Sequence, residues 1–183
     1  MRGEVVYRID SSDIILDVSD NWLSFAYNNA WHSLCRPEDV VGHKLWDFIQ
    51  GIETQHLYAE MFRKVRSGIH CGPIPFRCDS PRERRFLELL LVALTDGQIE
   101  ITSRIVRTEP RDAVGLLDVE SDRSSELVTI CSMCKKIETS PRAWVEIEEG
   151  LAQLRLFELD EMPQLTHGLC PDCYSLAMAE LYD

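Results

Sequence analysis

Four of the seven cysteines form two Cys-x-x-Cys pairs, and their spacing is that of metal ligands. Two intervening residues let both sulfurs of a pair reach one ion, and two pairs supply the four thiolates of a closed tetrahedral site. Zn²⁺ is the usual ion for four thiolates. We therefore predict a structural Zn²⁺ site, and its predicted ligands are Cys131, Cys134, Cys170 and Cys173.

Two other uses of these cysteines remain open from the sequence. Iron–sulfur clusters also take four cysteines, although their common spacings place three of them close together in the chain. A redox switch through the same thiols is the second alternative, although redox Cys-x-x-Cys motifs are typical of a thioredoxin-like strand–helix setting that this sequence lacks. With zinc bound, four protein ligands leave no open position for water or substrate. The ion would then contribute folding free energy rather than catalysis.

Three neighbours of the pairs bear on this site. His167 stands three residues before Cys170, where it can replace a cysteine as ligand or donate a hydrogen bond to a thiolate. Because four cysteines are already present, we expect the hydrogen bond or a plain structural role. Lys135 and Lys136 follow the first pair and are expected to offset part of the thiolate charge.

The composition is that of an ordinary globular protein, with 183 residues of which 45% are hydrophobic and 27% charged. This length can bury one sizeable core, or one core plus a small stapled module. No apolar run approaches the roughly 20 residues that cross a bilayer, and the N-terminus lacks a signal-peptide pattern. We expect a cytoplasmic protein without membrane contact, where reducing conditions disfavour disulfides. Cys35, Cys71 and Cys78 are expected to be small buried hydrophobes.

The net charge of −12 is concentrated in the last part of the chain. Residues 1–108 hold 13 Lys+Arg and 15 Asp+Glu, whereas residues 109–183 hold 6 and 16. Nucleic-acid affinity depends on neutralising phosphates with Lys and Arg. We therefore predict no nucleic-acid partner for the cysteine-containing part.

The order of predicted elements indicates an α+β fold with an antiparallel sheet, because successive hairpins leave no room for crossover helices. Asp96-Gly97 is a strong hairpin signal, and Gly68 is expected to stop the longest helix. The predicted strands are residues 5–9, 14–18, 74–79, 86–95 and 99–108. The predicted helices are residues 21–29, 36–49 and 52–67.

Two side-chain patterns carry further expectations. In the helix over residues 52–67, a period of 3.6 residues places His56 opposite the apolar stripe, so we expect it to face solvent. The stripe consists of Leu57, Tyr58, Met61, Phe62 and Val65. A basic run is predicted to be a solvated hairpin turn rather than a binding patch. Its members are Arg77, Arg82, Arg84 and Arg85.

The chain divides at a polar, acidic segment. Residues 109–127 lack long periodicity and are predicted to be a linker with one apolar anchor at residues 114–117. Residues 1–108 then form one domain, and residues 128–183 form a zinc-binding module that ends in a helix over residues 174–182. The sequence contains no nucleophile–base pair, phosphate-binding glycine loop or open-site zinc motif, so we expect no enzyme activity.

Residues 4–108 resemble a PAS domain, the small sensory module of signalling proteins. The resemblance rests on IILDV at 14–18, NNAW at 28–31, PEDVVGHKLWDFI at 37–49, RSG at 66–68 and DG at 96–97. It implies a five-stranded antiparallel sheet with short helices, and a pocket that can hold haem, flavin or an unidentified small ligand. Cys35 lacks the Asn and Phe neighbours of the reactive cysteine in light-sensing flavin domains. His56 stands near the haem-ligand position of oxygen sensors, but on the side predicted to be exposed.

Residues 130–173 are similar to a short cysteine-rich tail found behind PAS and other signalling domains in bacteria. The matching segments are ICSMCKKI at 130–137, WVE at 144–146 and THGLCPDC at 166–173. A small zinc-ribbon-like module is expected here. Together the two resemblances predict a bacterial signal-transduction module that acts through a protein partner or as a homodimer. The alternatives are a redox switch through the zinc cysteines and a haem- or iron–sulfur-containing sensor.

Overall fold

A five-stranded antiparallel sheet forms the first part of the fold. The structure is a computed structural model that describes residues 4–22 and 36–182. The strands are β1 (Val5–Ile9), β2 (Ile15–Val18), β3 (Cys71–Arg77), β4 (Glu83–Ala93) and β5 (Ile99–Pro110), in the spatial order β2-β1-β5-β4-β3. Every neighbouring pair is antiparallel. The predicted five-stranded antiparallel sheet is confirmed.

The hairpin between β4 and β5 closes at the predicted dipeptide. Asp96 and Gly97 both have positive φ, 58° and 74°, a conformation that Gly adopts freely and Asp tolerates. Along β4, Leu87, Leu89 and Leu91 alternate onto the buried face of the sheet. This face is the floor on which the helices pack.

Helix α1 is short (Pro37–Val40), whereas α2 is long (Ile52–Arg66) and packs against β3, β4 and β5. Most of the predicted apolar stripe of α2 is buried, and His56 is exposed as expected. The chain leaves the helix at Gly68, whose φ of +83° no helical residue adopts. The prediction for this helix is confirmed to within one residue at its end.

The single helix predicted over residues 36–49 is wrong. The structure has α1 and then a 3-10 turn at Leu45–Asp47. Between them Gly42 has a φ of +86°, and its N–H donates to the Ile15 carbonyl at 2.8 Å. The backbone here hydrogen-bonds to β2 instead of continuing a helix. The helix predicted over residues 21–29 lies outside the described residues beyond Trp22, as does Cys35.

The second part contains a four-stranded sheet. The sequence predicts a small zinc-binding module here but not the positions of its strands. Its strands are β6 (Arg123–Cys131), β7 (Ile137–Ser140), β8 (Ala143–Val145) and β9 (Met162–Gly168), in the order β8-β7-β6-β9 with β6 and β9 parallel. Helix α3 (Ile147–Gln153) precedes β9, and α4 (Pro171–Tyr182) follows it. α4 begins three residues before the predicted start, because Pro171 suits the first helical position. Among the described helices, none is long and apolar enough to cross a membrane.

The segment predicted as a linker contains regular structure. Residues 109–127 include the end of β5, a 3-10 turn at Gly115–Leu117 and the start of β6. The expected apolar anchor is present, since Val114 and Leu116 are buried in a small core with Ile147 and Leu151 of α3. The division of the chain into domains stays a prediction.

The two parts pack on one another through a shared hydrophobic core. Met133, Leu169 and Ala177 of the second part belong to the same buried cluster as Phe62 and Leu89 of the first. α2 packs against α4. Hydrogen bonds across the contact include that from the Arg77 N–H to the Met133 carbonyl at 2.7 Å and that from Lys64 Nζ to the Glu180 carbonyl at 3.1 Å. The edge strand β3 is therefore covered by the second part.

Gly51 offers a test of this packing. Its φ is +87°, and an added Cβ would lie 2.6 Å from the carbonyl oxygen of His167 in the second part. Gly68 has nearly the same φ, +83°, with no atom within 4 Å of such a Cβ. We expect Gly51→Ala to lower the free energy of unfolding by about 2 kcal/mol more than Gly68→Ala, because it adds a backbone clash to the strain. Urea unfolding measures both, and equal losses would argue against the packing.

Candidate metal centre and adjoining cavity

The four predicted metal ligands converge in space. The sulfur atoms of Cys131, Cys134, Cys170 and Cys173 all lie within 4.8 Å of one another, and the Cys134 and Cys170 sulfurs are 3.7 Å apart. Tetrahedral Zn–S bonds of about 2.3 Å place two sulfurs about 3.8 Å apart. This group can hold a metal ion, and the identity of the ligands and of the ion stays a prediction.

Different local structures position the two pairs. Cys131 ends β6, and its N–H donates to the Lys136 carbonyl at 2.8 Å, so residues 131–135 form a tight loop that we call the knuckle loop. Lys135 completes this loop with a φ of 63°. The second pair lies at the start of α4, where Cys173 is in the first turn. The helix N-terminus favours negative charge on these sulfurs.

Backbone amides also point at the sulfurs. The Cys170 N–H donates to the Cys131 sulfur at 3.4 Å, and the Cys173 N–H donates to the Cys170 sulfur at 3.5 Å. Cys131 and Cys170 are almost fully buried, whereas Cys134 and Cys173 are half-buried. The site is thus closed on the side of the shared core, and four sulfur ligands would leave no position for a reacting water.

The thiols are too close together to ionise independently. Hydrogen bonds from Cys134 and Cys173 hold the pKa of Cys131 well below its usual range. The hydrogen bond with Cys131 raises the pKa of Cys134 to about 12, and those with Cys131 and Cys134 raise the pKa of Cys173. One thiolate is therefore stabilised by its neighbours' protons. Four thiolates in this space require a cation, which is what a metal ion supplies.

His167 does not join the sulfur cluster as a close contact. Its Nδ1 lies 3.1 Å from Oε1 of Gln50, at the boundary between the two parts of the structure. Burial, and then the charge of Lys135, lower the pKa of His167. Of the three roles predicted for His167, which are metal ligand, hydrogen-bond donor to a thiolate and structural residue, the structure favours the last. Lys135 places its Nζ 2.8 Å from the Ser132 carbonyl, on the knuckle loop.

A buried ionic network lies beside the knuckle loop, and its centre is Asp79. The Asp79 side chain is 0% exposed and accepts hydrogen bonds from Arg77 and from Arg111, the latter at 2.9 Å. Burial opposes the charge on Arg77, but hydrogen bonds to Asp79 and Glu146 outweigh it and raise the pKa of Arg77. Asp79 thus lies between two guanidinium groups, those of Arg77 and Arg111.

The network connects the two parts of the structure. Arg77 reaches Glu146 at 2.8 Å, and Arg84 and Arg111 reach Glu148 at 2.6 and 2.7 Å. The prediction that the basic run is a solvated turn is wrong for Arg77 and Arg85, which are both buried. Sequence reasoning missed the partners because the two glutamates follow the basic run by more than sixty residues.

A cavity of about 310 Å³ lies between the five-stranded sheet and α2. Aromatic side chains form much of its wall, including Tyr7, Trp22, Tyr58 and Phe76. The knuckle loop forms another part, through Ser132, Met133 and Lys135. Thr54 on α2 donates from Oγ1 to Oγ of Ser132 at 3.0 Å and so fixes the loop against the cavity. No pattern in the sequence places a metal-binding loop at this cavity.

Several solved structures are similar to part of this chain, including the following two. A domain of an HTR-like protein from Haloarcula marismortui is 16% identical over 57% of this chain and 98% of its own length, with a TM-score of 0.35. A domain of a sensory box sensor histidine kinase/response regulator from Geobacter sulfurreducens is 14% identical over 55% of this chain and 82% of its own length, with a TM-score of 0.34. Likenesses this low assign no function. No protein-family model and no curated protein match the sequence.

Proposed function

We propose that this chain is a cytoplasmic signal-transduction module in which a PAS-like sensor domain is joined to a structural zinc site. The proposal rests on the position of the knuckle loop at the wall of the cavity. Two predicted metal ligands, Cys131 and Cys134, lie in the loop whose other residues line the cavity of the first part. A ligand or conformational change in the cavity would therefore move the knuckle loop. Because the knuckle loop belongs to the second part of the structure, this movement would transmit the signal from the first part to the second.

Zinc is the proposed ion because four sulfurs at tetrahedral spacing match its preferred structural site. The bound ion would hold the knuckle loop and the start of α4 together and would stabilise the second part through its binding free energy. A closed site has no catalytic position, so we propose a protein without an enzyme activity of its own.

The output is then proposed to pass through a protein partner or a second copy of the chain. The second part carries large apolar side chains that the described residues leave exposed, and Phe157, Leu127 and Leu176 are 70%, 64% and 58% exposed. Its acidic composition adds charge around them. We propose these side chains as contact points for the partner.

Native mass spectrometry of the purified full chain tests the metal assignment. We expect the mass of the chain plus one zinc ion, lost when the protein is denatured in acid. A metal-free chain lighter by four hydrogens would indicate two disulfides and favour the redox alternative. The mass of an iron–sulfur cluster or haem, with a visible absorption band, would replace zinc by that cofactor. Either result would overturn the structural zinc site.

A further inference from the structure

The cavity wall is largely aromatic, and its charged side chains are all basic. Its volume of about 310 Å³ is at the lower end of the range for small-molecule sites. Two cations, Arg77 and Lys135, line it, and no Asp or Glu is among its described lining residues. The chain as a whole has 31 acidic and only 19 basic residues. A cavity without a carboxylate in such a chain favours negative charge.

The two cations differ in what they can still bind. The Arg77 guanidinium is already neutralised by Asp79 and Glu146. Lys135 has no carboxylate within ion-pair distance among the described residues, and the one hydrogen bond of its ammonium group there is to the Ser132 carbonyl at 2.8 Å. An ammonium group has three donors. Two of the three Lys135 donors are therefore left for a further partner, on an ammonium that also lies beside the thiolates.

Neutral donors surround the same space. The hydroxyl of Thr54 donates to Ser132 at 3.0 Å, which leaves the Ser132 hydroxyl proton free to donate elsewhere. Tyr7 and Tyr58 also line the cavity, and neither hydroxyl has a hydrogen-bond partner in the described part of the chain. Burial raises the pKa of Tyr58 to about 12 and that of Tyr7 above its usual value, so both remain donors at neutral pH.

We propose that this cavity binds a small aromatic anion, of the size of a naphthalene carboxylate, with its charged group at Lys135 and Ser132 of the knuckle loop. The aromatic walls take the ring, and the ammonium and hydroxyl donors take the carboxylate. Cys131 and Cys134 enclose Ser132 and Met133 in the chain and precede Lys135. This proposal rests on the proposed function, because the metal ion fixes the loop that contacts the ligand. Metal loading and anion affinity are then linked, and each raises the other.

Isothermal titration calorimetry with the metal-loaded full chain tests the charge preference. The probes are 2-naphthoate, 2-naphthylmethanol and 2-naphthylmethylamine. They share the naphthalene ring system and are an anion, a neutral molecule and a cation at neutral pH. We expect affinity to fall in that order, with roughly tenfold or more between the anion and the neutral probe, as for a hydrogen bond to a charged group. Binding of none of the three, or equal affinity for all, would overturn the proposal.

Two adjacent lysines supply a matched pair of variants. Lys135→Met should weaken 2-naphthoate binding by roughly tenfold and leave 2-naphthylmethanol unchanged. Lys136→Met removes the same charge from the next residue, which is not among the cavity-lining residues, and should change neither. Equal effects of the two substitutions would overturn the role of Lys135. Ser132→Ala is the second variant if Lys135→Met does not fold, and it too should weaken binding of the anion alone.

A chelator separates this proposal from the proposed function. Zinc removal should lower 2-naphthoate affinity, and 2-naphthoate should raise zinc affinity, measured by equilibrium competition with a chelator, by the same factor. If zinc is bound at one ion per chain but the anion preference is absent, the ligand assignment fails and the structural zinc site stands. If zinc itself is absent from the protein, the proposed function fails first.

Discussion

Replacing Cys131 by serine is expected to abolish binding of the metal ion and to destabilise the protein by more than about 4 kcal/mol, the range reached when a structural metal is lost. The Cys131 side chain is buried, and the other three cysteine sulfurs surround it. Serine offers a hydroxyl where the site needs a thiolate. The remaining three thiols would then lie together without a cation.

The matched control is Cys78→Ser, the same chemical change at a half-buried cysteine outside the cluster. We expect it to cost no more than about 1 kcal/mol, the typical effect of a single substitution. Zinc content by plasma mass spectrometry and urea unfolding followed by far-ultraviolet circular dichroism measure both variants. A Cys131→Ser protein that keeps one zinc ion and its stability would contradict the assignment of this ligand.

Asp79→Asn is expected to cost about 3–5 kcal/mol, the loss seen when one partner of a buried ion pair is removed. The substitution keeps the size of the side chain and removes the charge that Arg77 and Arg111 share. Those guanidinium groups would be left buried beside an amide that is itself a donor. Asp79 also positions Arg77, which pairs with Glu146 of the second part. Without the Asp79 charge, this ion pair and the contact between the two parts of the structure should weaken.

Asp17→Asn is the control for this network. Asp17 pairs with Arg8 at 2.6 Å, but both side chains are 45% exposed. Surface pairs of this kind contribute at most about 1 kcal/mol. Denaturant midpoints of the two variants compare the same substitution inside and outside the buried network. Similar losses for both would mean that the network contributes little to stability.

Local sequence patterns were sufficient for the first sheet and its long helix. The hairpin at Asp96-Gly97 and the stop at Gly68 depend on backbone conformations that few residues adopt, so the residue types alone identify them. The apolar stripe of α2 repeats with the helical period, and the exposure of His56 follows from that repeat. The convergence of the four cysteines also follows from spacing.

Long-range contacts explain what the sequence patterns missed. The sequence of the basic run predicts a solvated turn because Glu146 and Glu148 are distant in the chain, and only the fold brings them to Arg77 and Arg84. The helix predicted through Gly42 fails because its backbone pairs with β2. The position of the knuckle loop at the cavity depends on how two parts of the chain pack, and no local pattern encodes such packing.

We propose above all that a metal ion fixes the knuckle loop against the edge of the first sheet. Hydrogen–deuterium exchange with and without a zinc chelator tests it, because the Arg77 N–H donates to the Met133 carbonyl at 2.7 Å. Zinc removal should speed exchange in the second part and also in β3, at Arg77 above all. Faster exchange confined to the second part, with β3 unchanged, would contradict this role of the metal ion.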